Sequence, residues 1–408
     1  MLLRGVRDGA SLADQADMLD SLPPADRARA QRLALTTLRH QGRADTLLAP
    51  HLHRAPRPDI RDILRLATVE MLELHEAPHG VVNAAVASAR ALGQKGQAAS
   101  GMVNAVLRKL ADAGEAWAAL PPQRLPDWLR KPLLAAWGAD AVAAIEAAHQ
   151  AGAPLDLTAK TSFPPALAAM GETLPTGSLR LALTQVSTLP GFAEGDWWVQ
   201  DAAAALAVRL LDPQPGEVIA DLCAAPGGKT LQLAAAGAKV TALDLSADRL
   251  ERLRQNLDRC GLTAEIITGD ALDWHPDSPP DAILLDAPCS ATGTIRRHPD
   301  LPLIRDGGAL PAITALQTRL LDHAIARLPE GGRLVYATCS LLPDEGEDQI
   351  TAALARHPDL TAEIPEAAWI EPGWRSAHGL RLRPDFWPER GGMDGFYLAR
   401  LRKGGGRP

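Results

Sequence analysis

The residues best suited to chemistry are cysteines. The 408-residue chain has four: Cys223, Cys260, Cys289 and Cys339. Two lie in short motifs, Asp286-Ala287-Pro288-Cys289-Ser290 and Thr338-Cys339-Ser340, each just after an apolar run that reads as a strand. A cysteine serving only as a small hydrophobe belongs inside an element. A thiol pair at the carboxyl ends of two strands suggests covalent catalysis. No CxxC spacing suggests zinc, and four cysteines in a chain this long make no disulfide framework. Cys260 precedes Gly261 at a helix C-cap position and reads as structural.

A second set of residues suits a nucleoside. After the first strand of the same region comes Asp221-Leu222-Cys223-Ala224-Ala225-Pro226-Gly227-Gly228-Lys229-Thr230. Its small residues allow close backbone approach before a helix N-terminus. It is neither GxGxxG nor a P-loop. Asp244 ends the next strand, where a carboxylate can accept both hydroxyls of an adenosine ribose. Gly269-Asp270 ends the third and suits an adenine edge. NAD(P) and S-adenosylmethionine both satisfy these three strand ends. An oxidoreductase leaves the two strand-end cysteines unexplained.

The elements that must position these groups form an alternating pattern. Glu217–Leu222, Lys239–Leu243, Ala264–Thr268, Asp281–Leu285 and Arg333–Ala337 read as strands. Thr230–Ala236, Ala247–Arg259 and Ile313–Leu328 read as helices, and Gly395–Arg400 as a last strand. Strand–helix alternation predicts a doubly wound, mostly parallel sheet that binds ligands at its carboxyl edge. Residues 1–115 instead carry helix-period apolar positions over Arg27–Leu38, Ile60–Leu74, Val81–Leu92 and Met102–Leu110. Pro50, Pro56, Pro58, Pro78, Gly80, Gly93 and Gly96 read as breakers between them. The Pro-rich run 120–126 reads as a linker, followed by one or two helices to about His149. Residues 150–200 show no assignable pattern, and Lys403–Pro408 reads as a disordered tail.

With these motifs the catalytic region resembles the NOL/NOP/Sun family of RNA 5-methylcytosine methyltransferases. Thr292-Gly293-Thr294-Ile295-Arg296-Arg297-His298-Pro299-Asp300 is similar to its bacterial Sun branch. Pro190-Gly191-Phe192 with Val199-Gln200-Asp201 resembles the family's segment entering the catalytic domain, and Pro343-Asp344-Glu345-Gly346-Glu347 and Asp394-Gly395-Phe396 are similar to its C-terminal part. Val82-Asn83-Ala84-Ala85-Val86 and Val103-Asn104-Ala105-Val106-Leu107-Arg108 resemble a NusB-type RNA-binding domain. Two departures stand out. Leu301-Pro302-Leu303 replaces a common tryptophan, and Asp156, in Leu155–Ala159, stands where the family has a basic strand.

The resemblance implies an α/β fold: a Rossmann-like class I methyltransferase domain at 196–403, preceded by an all-helical NusB-like domain at 1–125. A linker and small mixed RNA-contacting subdomain fall at 126–195. It implies methyl transfer from S-adenosyl-L-methionine to carbon 5 of a cytosine in RNA, with small-subunit ribosomal RNA the expected substrate. Cys339 is then the nucleophile and Cys289 assists product release. Asp286 binds the cytosine edge and borders the cofactor. Cys223, Ala224, Ala225, Pro226, Gly227, Gly228, Lys229, Asp244, Asp270 and Asp286 hold the cofactor. DNA cytosine methyltransferases use the Pro-Cys cysteine as nucleophile, which would be Cys289. Their motif continues with Gln rather than Ser290, and they have no use for a Thr-Cys-Ser site.

Composition fits this reading without specifying it. Charged residues are 22% and hydrophobic residues 46%, ordinary for a globular chain. Net charge is −7, but the first 130 residues carry a small excess of Lys and Arg, a weak sign of a phosphate-facing surface. The chain shows no apolar run of membrane-spanning length and no secretory leader pattern. A cytoplasmic, monomeric enzyme with RNA as partner and no membrane partner is expected. An RNA-binding module that merely retains the cofactor is the rival, and methyl transfer from labelled cofactor separates the two.

Overall fold

The structure, a computed structural model, describes residues 1–404. It divides into two compact units: Met1–Ala151 with Ile295–Gly307, and Gly152–Thr294 with the chain from Gly308 onward.

The first unit is helical. Its main helices are Pro24–Leu48, Pro58–Leu72, Pro78–Ala91, Gln94–Leu110 and Asp127–Ala151, the last broken at Gly138. Pro24, Pro58 and Pro78 each open a helix, where the missing N–H costs nothing. Pro58 and Pro78, read from sequence as breakers, are therefore starters. Gly96 is a second correction, since it lies inside Gln94–Leu110. A Cβ there would sit 2.1 Å from the Ala89 carbonyl oxygen, so glycine is what lets two helices touch. Leu48, Leu64, Ala89, Val103, Leu107 and Leu110 form the buried centre. Ile295–Gly307 belongs to this unit, where Asp300 accepts from the Leu12 N–H at 2.8 Å and the Arg296 carbonyl from Arg39 at 2.9 Å. The family-like run 292–300 is thus shared between units.

The second unit carries the sheet. Its strands are β1 (Val218–Leu222), β2 (Lys239–Asp244), β3 (Glu265–Thr268), β4 (Ala282–Asp286), β5 (Arg333–Thr338), β6 (Leu360–Glu363), β7 (Leu380–Leu382) and β8 (Phe396–Lys403). The order is β6-β8-β5-β4-β1-β2-β3, with β7 also pairing β8. β1 to β5 are parallel and β8 is antiparallel to β5. Order reverses between β1 and β4, so their carboxyl ends form the ligand crevice. Both faces are buried, as a parallel sheet requires. Leu284 and Val335 point to the layer containing helix Ala202–Leu211, whereas Ile283, Leu285, Leu334 and Tyr336 face helices Leu310–Arg327 and Glu347–Arg356. Lys403 is ordered at the end of β8, its ammonium donating to the Ile325 and Leu328 carbonyls, which corrects the expected tail at that residue. Residues 405–408 lie outside the described part.

Residues 150–200, left unassigned from sequence, hold a four-stranded antiparallel sheet. Leu155–Ala159 pairs with Leu179–Leu181 on one side and Trp197–Val199 on the other. Asp156, fully buried, makes a two-pronged ion pair with Arg180 at 2.7 Å and accepts from the Ala202 N–H at 3.1 Å. Arg180 continues to the Gly392 carbonyl at 2.6 Å. Asp156 therefore ties the small sheet to a helix start and to the approach of Asp394-Gly395-Phe396, a structural role that explains its departure from a basic residue.

Candidate active site

The turn after β1 is built to expose its backbone. Cys223 takes a left-handed φ of 62° and Gly227 one of 106°. The Ala224 N–H donates to the Leu243 carbonyl at 3.0 Å, and the Ala225 N–H to Asp244 Oδ2 at 3.0 Å. Asp244 Oδ1 accepts from the Ser246 N–H at 3.0 Å. The β2 carboxylate is thereby oriented at the crevice while holding the β1 turn. The Cys223 thiol is pushed up to about 12 by burial, with Asp286 and Asp244 adding to it, so it does not ionise in this site.

Beneath the turn, Asp221 is fully buried. Thr230 Oγ1 donates to its Oδ2 at 2.5 Å, and its buried Oδ1 has no hydrogen-bond partner. Burial raises its carboxyl to about 7, against the Thr230 bond, and the negative charge of Asp286 adds to the rise. Lys229, from the same turn, reaches Asp286 Oδ2 at 2.6 Å and lies 5.4 Å from the centre of the Phe396 ring. Burial opposes its charge, but Asp286, Cys339 and Asp221 outweigh burial and raise its pKa. A fixed ammonium thus stands among the site's acidic groups. Asp270 is the outlying member. It is exposed at the end of β3, its Oδ1 accepting from the Leu272 N–H at 2.9 Å.

The ends of β4 and β5 meet. Cys289 and Cys339 lie with sulfurs 3.4 Å apart, both half-buried. The Cys289 thiol is held well above its usual value, first by its hydrogen bond to Cys339, then by burial and by the Cys339 and Glu345 charges. Either sulfur can donate in this contact. Cys260, by contrast, is buried in the core beside Leu257.

The loops carrying the two cysteines are pinned by groups to which the sequence assigned no role. Gly293 N–H donates to the Cys339 carbonyl at 2.9 Å, and Gly395 N–H to the Gly293 carbonyl at 2.8 Å. A Cβ on Gly293 would fall 1.9 Å from the Gly395 oxygen, so only glycine permits this stack. Glu345, fully buried, accepts from Ser290 on the Cys289 loop and Ser340 on the Cys339 loop, and from Gln317 at 3.1 Å. One signal was available for Gln317: a polar residue on an otherwise apolar helix stripe, with Ile313, Leu320, Leu321 and Ala324 around it. For Glu345 the sequence offered only its place in the Pro343–Glu347 run.

Residues 208–402 match the family described as 16S rRNA methyltransferase RsmB/F, and residues 6–112 match the NusB family. Ribosomal RNA small subunit methyltransferase B of Pseudomonas putida is 40% identical over 412 residues, covering 94% of this chain and 92% of its own length. The chain belongs to the RsmB/F methyltransferase family. Membership makes it an S-adenosylmethionine-dependent methyltransferase of ribosomal RNA cytosine. The crystal structure of PH0851 shares the fold, with a TM-score of 0.71 at 24% identity over 98% of this chain and 97% of that one. A methyltransferase homolog protein from Pyrococcus horikoshii gives a TM-score of 0.55 at 27% identity, covering 67% and 93%. The crevice fits the cofactor of RsmB/F enzymes on its own terms. The unpartnered Asp221 oxygen, the small-residue turn before helix Gly228–Ala235, and the Asp244 carboxylate converge where a charged nucleoside needs acceptors and close backbone.

Proposed function

We propose that this chain methylates carbon 5 of a cytosine in small-subunit ribosomal RNA, with Cys339 as the covalent nucleophile and Cys289 assisting release. The observation that carries this reading is the meeting of the two thiols at the ends of β4 and β5, sulfurs 3.4 Å apart, on the side of the crevice where Lys229 holds Asp286.

The bound cofactor supplies an electrophilic methyl group on a sulfonium. Cys223, Ala224, Ala225, Pro226, Gly227, Gly228 and Lys229 of the β1 turn would hold it, with Asp244 to accept ribose hydroxyls, Asp270 for the adenine edge and Asp286 beside its methionine part. Carbon 5 of cytosine is too weak a nucleophile until a thiolate adds to carbon 6. The flipped base meets Asp286, whose carboxylate accepts from the amino edge and stabilises a ring protonated at nitrogen 3. Lys229 holds Asp286 in place and presents positive charge toward Cys339. Addition of Cys339 to carbon 6 turns the ring into an enamine, and carbon 5 takes the methyl group. Water takes the carbon 5 proton, the C–H electron pair restores the 5,6 double bond, and the carbon–sulfur bond breaks with its pair going to the Cys339 sulfur. The Cys289 thiol, 3.4 Å from the Cys339 sulfur, is placed to donate to the departing thiolate.

The helical region, taken as 1–125, serves as the RNA-binding domain, and 196–403 as the catalytic domain. Between them 126–195 acts as linker and RNA-contacting subdomain. The enzyme works as a cytoplasmic monomer, where its RNA is made. Among the described residues no helix is long and apolar enough to cross a membrane. Bisulfite sequencing of ribosomal RNA from cells with and without this protein tests the substrate. One 5-methylcytosine in small-subunit RNA is expected to vanish on deletion, and an unchanged pattern would sink the assignment.

A further inference from the structure

The hydrogen bonds behind the two cysteines have a direction. The Leu341 N–H donates to Thr292 Oγ1 at 2.9 Å and the Leu342 N–H to Ser340 Oγ at 3.0 Å. These backbone donors occupy the hydroxyl oxygens, so the hydroxyl protons must point onward. Thr292 lies 3.1 Å from Ser340 and 3.2 Å from Ser290. Ser340 donates to Glu345 Oε2 at 2.5 Å, and Ser290 Oγ reaches the same oxygen. Glu345 Oε1 collects the Ser290 N–H at 2.8 Å and Gln317 Nε2 at 3.1 Å. Four donors converge on one side chain, and only an acceptor-only carboxylate satisfies them all.

We propose that Glu345 is a positioning residue for methyl transfer: it clamps the loop bearing Cys289 to the loop bearing Cys339 and so sets the spacing of the two sulfurs. The anchoring is many-sided. The Glu345 backbone carbonyl accepts from Tyr336 and Thr338, both at 3.0 Å, which fixes the residue to β5. Gln317 also bonds the Pro288 carbonyl at 2.9 Å, tying the Cys289 loop to helix Leu310–Arg327. Glu345 touches neither sulfur in these contacts and acts through Ser290 and Ser340. Its negative charge also contributes to keeping Cys289 protonated. An amide at this position would turn two N–H donors on Ser290 and Ser340, and Ser340 Oγ already accepts from Leu342.

The inference rests on the roles given to Cys339 and Cys289, so the test begins by trapping the wild-type enzyme on 5-fluorocytidine RNA. Absence of an adduct on Cys339 would remove those roles without reference to Glu345. With the adduct in hand, Glu345→Gln is compared with wild type in turnover, in cofactor KM, and in capture by phenylarsine oxide. That reagent bonds two thiols through one arsenic and releases one water, so its affinity reads their spacing, and Cys289→Ala supplies the single-thiol baseline. Expected are a fall in kcat on the order of 100-fold, as for a misplacement of about 1 Å, a cofactor KM within about twofold, and arsenical affinity weakened roughly tenfold toward the baseline. Gln317→Leu, a milder cut in the same network, should lower kcat about tenfold with the same pattern. Unchanged kcat, unchanged arsenical capture, or a cofactor affinity that falls in step with turnover would each overturn the positioning role.

Discussion

At the scale of single residues, the site separates groups that hold from groups that react. Asp244 shows the first kind, each carboxylate oxygen accepting a backbone N–H while it faces the crevice. Asp244→Ala removes the brace on the β1 turn together with the proposed hydroxyl acceptor. Calorimetric titration should show cofactor affinity weakened roughly 10- to 100-fold, from the loss of charged hydrogen bonds worth about 1.5–3 kcal/mol. An unchanged Kd would remove Asp244 from the cofactor site. Cys289 and Cys339 are proposed as the second kind, and their placement at two strand ends was legible in the sequence. What the sequence could not show is how closely the two sulfurs approach. The loops that set it are joined by contacts such as the Ser290 N–H to the Glu345 carboxylate, 55 residues apart in sequence.

Elements explain the rest of that legibility. β1 to β5 are short apolar runs bounded by turn residues, and the pattern is clearest in the central strands, which are buried on both faces. The helices between them also lie close to their expected spans. The sheet spanning 155–199 was hidden because three of its strands have two or three residues, too short for a periodic signal, and no strand–helix alternation frames it. Its stability also depends on partners distant in sequence. Asp156 shows this, since its partner Arg180 is bonded again to Gly392. Asp156→Ala would leave Arg180 buried and uncompensated, at a cost of about 3–5 kcal/mol. Chemical denaturation should record that loss; a midpoint within error of wild type would refute the tie. Gly96 and Pro58 were misread for one reason. Composition marks them as breakers, while packing uses one for close approach and the other as a first-turn residue.

For the whole molecule, the two units carry titrating groups of opposite effect. In the helical unit, burial lowers His149 to about 3, with Arg296 and Arg39 adding to the shift. His40 is lowered to about 4 by burial despite Glu73. Below about pH 6.5 the unfolded imidazoles gain protons that the folded ones refuse, so stability falls as pH drops toward 4, by about 1.4 kcal/mol per pH unit for each histidine. In the sheet unit the Asp221 carboxyl rises to about 7. The folded state there keeps a proton the unfolded state has lost, and stability falls instead as pH rises from about 4 to about 7. Calorimetric scans over pH 4–7 on wild type and His149→Leu should show the variant's helical transition losing about one proton of pH dependence. An identical slope in both proteins would contradict the neutral, buried His149.

The assignment of bond-making to Cys339 and bond-breaking to Cys289 is tested most directly by covalent capture. Full-length wild type, Cys339→Ala and Cys289→Ala are each incubated with cofactor and small-subunit ribosomal RNA, unmodified and carrying 5-fluorocytidine, and adducts are read by denaturing gel and peptide mass. Cys339→Ala should form no adduct on either RNA and transfer no methyl group. Cys289→Ala should accumulate a Cys339-linked adduct even on unmodified RNA, because the carbon–sulfur bond forms but is not efficiently broken. An adduct that persists in Cys339→Ala, mapped to Cys289, would reverse the two roles.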